Sequence, residues 1–233
     1  CSYHSVPICI FCCIVVFTLN QREKMIKAKH HWFIYPFFIF YSFWKIKRHF
    51  KDVHINTLLP TDTIDKPILL IGNHISWWDG FIVQYINQKL WKKKFHFMML
   101  EEQLKKHQFL NLTGGFSINK KSKEIIASLT YAQELLHTKN NLVLMFPQGK
   151  ITSMHQQTMV FEKGIERILQ HASDIIEVVF MVNIIDYFSD EKPTLYIYLT
   201  NYQTDKPNHK DIEKAFQDFY NSCLGTQQKR ATE

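Results

Sequence analysis

Between residues 14 and 222 the sequence has no cysteine: four of its five are Cys1, Cys9, Cys12 and Cys13, and the fifth is Cys223. That excludes a disulfide framework for the body of the chain and fits a reducing compartment. Cys9 and Cys12 form a C-x-x-C, but it stands in an apolar run without a second ligand pair, so no metal is expected there. Glycine and proline are scarce, seven of each, which argues against collagen-like, repetitive or low-complexity architecture. The sequence contains no H-E-x-x-H, no phosphate-binding G-x-x-x-x-G-K-[ST] and no G-x-G-x-x-G dinucleotide fingerprint. It also lacks a G-x-S-x-G elbow, which counts against a serine hydrolase. His96, His107, His137, His155 and His171 show no spacing suited to a metal pair.

What is present departs from the average in two ways. Aromatic residues reach 15%, 19 of them Phe, and the formal net charge is +7. Together they predict a surface that meets an anionic partner such as phospholipid headgroups or a phosphate-bearing substrate. Hydrophobic residues at 46% and charged ones at 21% of 233 residues suit one sizeable globular domain.

The charge and the aromatics meet near the start. Residues 6–19 are apolar but short of the ~20 needed to span a bilayer, and Met25 is the first methionine. Residues 1–24 therefore read as an upstream extension. From Met25, Lys27 and Lys29 precede an aromatic run over residues 32–44, and Lys45, Lys47, Arg48 and Lys51 follow it. This run is also too short to span. Tryptophan and tyrosine at its edges and basic residues on both sides predict a helical segment, residues 25–51, lying in one leaflet. A buried core helix is the alternative. Nucleic acid is not the expected partner, because the aromatics are continuous and not interleaved with charge. A monotopic or peripheral membrane location facing the cytoplasm follows.

Beyond residue 52 strands and helices alternate. Short apolar runs predict strands over 67–71, 95–100, 142–146, 175–185 and 194–200. Helical spacing predicts helices over 76–88, 101–110, 122–136, 161–170 and 211–223. The pattern implies an α/β layered domain over 52–233, with a mostly parallel or mixed sheet flanked by helices.

The segment Gly72-Asn73-His74-Ile75-Ser76-Trp77-Trp78-Asp79-Gly80 follows a strand and opens a helix, where ligands of α/β sheets bind. Asp79, one helical turn beyond His74, can hold one imidazole nitrogen and leave the other to take a proton from a hydroxyl. This is the base and orienter of a triad, with the substrate supplying the nucleophile. A helix-terminal charge and a strand-end histidine remain the plain alternative.

The segment resembles the N-H-x-x-x-x-D block of the glycerolipid acyltransferases, the 1-acylglycerol-3-phosphate acyltransferase family. Three further segments fall in the family's order. Residues 114–120, G-G-F-S-I-N-K, resemble the second block, with Lys120 where the family carries a basic residue for the acceptor phosphate. Phe146-Pro147-Gln148-Gly149 resembles F-P-E-G, and Phe161-Glu162-Lys163-Gly164 resembles the F-K-x-G that follows. The resemblance implies a glycerol-3-phosphate acyltransferase-like fold and acyl transfer from acyl-CoA or acyl carrier protein to a lysophospholipid hydroxyl, with no metal or other cofactor. It implies catalytic roles for His74 and Asp79 and substrate-binding roles for Asn73, Lys120, Phe146, Pro147, Gln148, Gly149 and Lys150.

The departures are Gln148 for the family's Glu, and Lys150-Ile151 for its Thr-Arg. Losing that arginine removes a planar bidentate phosphate donor. An amino-acid-based lipid acceptor therefore stays open, as does a non-catalytic membrane-binding protein. Backbone N–H groups near Gly149 or Ser76 are the expected oxyanion donors.

Overall fold

The computed structural model describes residues 25–59, 65–119, 124–170, 175–203 and 208–230. The expectations for residues 1–24 and Lys120 lie outside them. In chain order the elements are α1 (Ile34–His49), β1 (Val53–Thr57), β2 (Ile68–Gly72), α2 (Asp79–Leu90), β3 (Lys94–Leu100) and α3 (Glu101–Lys106). Then follow β4 (Gly115–Ile118), α4 (Ile125–Leu135), β5 (Asn141–Met145), α5 (Ile165–Leu169), β6 (Glu177–Asp186), β7 (Thr194–Tyr202) and α6 (His209–Gln228).

The strands form one seven-stranded sheet in the order β1-β7-β6-β2-β5-β3-β4. Strands β6, β2, β5, β3 and β4 run parallel, whereas β7 pairs antiparallel with β6 and β1 follows β7. The sheet is therefore mixed. Central strand β2 is buried along its whole length, as a strand covered on both faces must be, and this is why it reads as an unbroken apolar run. Its alternate side chains feed two cores. Leu69 and Ile71 join Leu129, Ile168 and Phe216 under α4, α5 and α6. Ile68 and Leu70 join Phe38, Ile46, Phe81 and Ile86 under α1 and α2. Cys223 is a packing residue of the first core, and burial pushes its thiol up to about 12.

Three expectations change. Strands β1 and β4 come in addition to those the sequence predicts. β1 has a mixed burial pattern at a sheet edge, and β4 opens on Gly115, a residue that weakens any strand signal. Helix α5 begins at Ile165 instead of residue 161, because Gly164, at φ 130°, breaks the chain before it. Residues 101–110 divide into α3 and a single 3₁₀ turn, Gln108–Leu110.

Residues 25–51 are also not set apart from the domain. Phe38, Ser42 and Ile46 of α1 are buried, and Phe38 packs against Phe81 with ring centroids 5.4 Å apart. Upstream, the backbone of Ile26 and Lys29 bonds Ser117 and Gly114 beside β4. This strap needs Gly114 itself: at φ +107° a Cβ there would lie 2.1 Å from the Phe95 carbonyl oxygen. No helix among the described residues is long and apolar enough to cross a membrane.

Candidate active site

Register brings the sequence blocks together. β2 and β5 are parallel neighbours that pair Ile71 with Met145, so the chain leaves both strands side by side. His74 follows one strand end and Phe146-Pro147-Gln148 the other. β3 and β4, paired at Leu100 and Ile118, end at the same sheet edge.

Asp79 is the first residue of α2 and is fully buried, while the His74 side chain keeps 23% of its exposure. The Asp79 Oδ2 lies 2.8 Å from His74 Nδ1. The same oxygen accepts the backbone N–H groups of Ile75 at 2.9 Å and Ser76 at 3.0 Å. A carboxylate accepting this many donors is held in place, and it fixes the imidazole with its proton on Nδ1. Among the described residues nothing bonds His74 Nε2. The imidazole also lies flat on Phe146, with centroids 4.2 Å apart and planes 5° apart. Contact with an aromatic face and a buried carboxylate leaves the ring little freedom to turn.

This imidazole lines a cavity of about 590 Å³. Most of its lining is apolar and includes Phe97, Leu100, Leu110, Ile118, Ile125 and Leu129. Its charged lining residues are Lys150, Glu162 and Lys163. Trp77 lines the cavity too and is 48% exposed. A largely apolar chamber with a few polar groups and an imidazole in its lining suits a long-chain substrate with a polar end.

A model of the acyltransferase family matches residues 50–185, more than half of the 233 residues. The chain belongs to that family. The acyltransferase also shares its fold with the crystal structure of 1-acyl-sn-glycerophosphate (LPA) acyltransferase, PlsC, from Thermotoga maritima. The TM-score is 0.57 at 15% identity, over 96% of this chain and 89% of that one. No curated protein sequence matches.

The other expected site residues divide. Phe146, Pro147, Gly149 and Lys150 line the cavity with His74. Gly149 holds φ +66° at the end of a turn closed by its N–H on the Phe146 carbonyl, 3.0 Å. Asn73 and Gln148 are buried. The Asn73 side chain donates to the Asn183 carbonyl at 2.9 Å and accepts the Asn183 N–H at 2.8 Å, tying β2 to β6. Gln148 accepts the His74 N–H at 2.6 Å. Of the N–H groups expected near Gly149 and Ser76 to hold an oxyanion, those of Gly149 and Ser76 themselves are committed elsewhere, to Phe146 and Asp79. The structure adds Thr152, whose N–H donates to the His74 carbonyl at 2.8 Å. No motif marks that residue, and only the turn after β5 brings it back to the histidine.

Proposed function

We propose that this acyltransferase is membrane-associated and moves a fatty acyl group from acyl-CoA or acyl carrier protein to the hydroxyl of a lysophospholipid. The observation that carries the reading is the 2.8 Å contact of His74 Nδ1 with buried Asp79, with the rest of the ring at an apolar cavity. The lysolipid hydroxyl approaches Nε2. As its oxygen adds to the thioester carbonyl, its proton passes to Nε2, and Asp79 stabilises the imidazolium. The tetrahedral intermediate then collapses, the carbon–sulfur bond breaks, and the proton on Nε2 leaves with the thiolate as free thiol. The new ester remains on the lipid. No protein nucleophile takes part. Lys150 and Lys163 suit an anionic head near the base.

A second acceptor class is favoured by two features of the lining. Ile151 stands on the cavity wall where the family carries arginine, and Glu162 adds a carboxylate. Both weaken the case for a phosphomonoester head and suit an acceptor that itself bears a cation, such as an amino-acid-based lipid. Thioester consumption with oleoyl-CoA against a panel of lysophosphatidate, zwitterionic lysophospholipids and a monoacylated amino-acid lipid separates the two. The same assay on His74→Ala should show a loss of ~10²–10⁴-fold. Turnover at the native rate in that variant would end the proposal, and a native chain inert to every acceptor would favour a non-catalytic lipid-binding role.

A further inference from the structure

The turn after β5 grips the backbone of His74 through a closed ring of three hydrogen bonds. The His74 N–H donates to Gln148 Oε1 at 2.6 Å. The Gln148 Nε2 donates to Thr152 Oγ1 at 2.8 Å. The Thr152 N–H returns to the His74 carbonyl at 2.8 Å. Donors and acceptors alternate correctly around this ring only if the glutamine oxygen faces His74, so the amide orientation is set by its partners.

Gln148 is only 5% exposed. Its remaining amide contact is Met159 Sδ, at 3.2 Å. The side chain faces the backbone of the base and the protein interior, with no part in the cavity lining. The loop carrying the ring is itself fastened to α6: the Met159 N–H donates to Gln217 Oε1 at 2.6 Å, and the Tyr220 hydroxyl donates to the Gln156 carbonyl at 2.9 Å.

We infer that Gln148 and Thr152 are positioning residues that hold the peptide of His74 in register with the cavity, and that Gln148 has no contact with the acceptor head. The inference rests on the reading of His74 as the base. The physical reason is economy of motion. Asp79 fixes the imidazole at Nδ1 and Phe146 fixes its plane. Asp79 also accepts the Ile75 N–H, yet neither it nor Phe146 engages the His74 N–H or its carbonyl oxygen. The ring engages both from one turn. Small displacements of a base cost rate much more than binding.

The test compares Gln148→Met, Thr152→Val, the double variant, Thr152→Ser and His74→Ala in the full chain. Oleoyl-CoA and 1-oleoyl-lysophosphatidate in mixed micelles serve as substrates, and amide hydrogen exchange at His74 is followed in parallel. Gln148→Met and Thr152→Val should each lower kcat by about ten- to a hundredfold and leave the acceptor KM within about twofold. The double variant should be no worse than the poorer single, because one ring opens once. Thr152→Ser should recover most of kcat. His74 exchange should accelerate in Gln148→Met. An increased acceptor KM at native kcat in Gln148→Met would make Gln148 a substrate contact and overturn the inference. Unchanged exchange at His74 would overturn it as well, even if this substrate pair gave no turnover. Native turnover in His74→Ala would instead remove the reading of the base and leave the exchange result to decide the ring.

Discussion

At the scale of single residues, the site depends on one buried carboxylate with several donors. Asp79 Oδ2 accepts from the His74 ring and from two backbone N–H groups. Its charge is therefore shared between holding the imidazole and closing the start of α2, where a negative charge also suits the helix dipole. Asp79→Asn keeps the shape and removes the charge: its amide oxygen can still meet the His74, Ile75 and Ser76 N–H groups, with its nitrogen toward the Ser76 hydroxyl, 3.4 Å from Oδ1. The expected result is a fall in kcat of ~10²–10⁴-fold with the acceptor KM little changed and a cooperative melt retained. Activity near native in a folded Asp79→Asn would reduce Asp79 to a helix-start charge. The sequence motif was enough to name the pair, because five residues from a strand end into a first helical turn leave few other geometries. It was not enough to name Thr152.

At the scale of elements, α1 shows why composition and structure can point two ways. Its aromatic run is apolar on every side, so no periodicity marks an inner face. The fold divides it. Phe38, Ser42 and Ile46 enter the core, while Phe37, Phe40 and Trp44 stay exposed at 55%, 66% and 46%. The choice between a leaflet segment and a core helix thus becomes a choice between two faces of one helix. Lys45 lies over the rings of Tyr41, Trp44 and Trp78, and Arg48 lies over Trp44. Cations therefore flank the exposed aromatic stripe. Changing Phe37, Phe40 and Trp44 together to Ser should lower partitioning to anionic vesicles by about a hundredfold or more, since each ring forfeits about 1.5–3 kcal/mol of apolar transfer. Stability should hardly change. Phe38→Ala should do the reverse: a loss of about 3–5 kcal/mol of stability, with unaltered vesicle binding by the folded fraction. Co-sedimentation and urea titration give both quantities, and equal partitioning of the triple variant and the native chain would place the lipid surface elsewhere.

At the scale of the whole molecule, the strap before α1 joins residues 26–31 to the far side of the sheet, where a pair of histidines meets. His30 Nε2 meets the Phe95 carbonyl at 2.8 Å, and the His30 and His96 rings are 4.7 Å apart. Burial lowers the pKa of both, and that of His96 reaches about 3, with His30 and Lys94 adding to the effect. The unfolded value is 6.5, so above that pH His96 is neutral in both states and its contribution is complete. As pH falls from 6.5 toward 3, the unfolded chain takes up a proton that the folded chain refuses, and stability declines. Urea midpoints at pH 7 and pH 5 should therefore differ more for the native protein than for His96→Leu. An equal difference in both would show that other groups take up the protons.

The sequence by itself determined the layered α/β class, the contact of His74 with Asp79, and the family. These rest on short-range facts: an apolar run that must be a covered strand, a carboxylate one turn beyond a histidine, and blocks whose residues stand in fixed order. Only the tertiary structure decided what depends on strands meeting across the sheet. It placed the two turns after β2 and β5 side by side, turned Gln148 and Asn73 inward as braces, and committed the N–H groups of Gly149 and Ser76 within the protein. It also sent one face of α1 into the core. Each of these is set by register and packing between residues far apart in the chain, which no local pattern encodes.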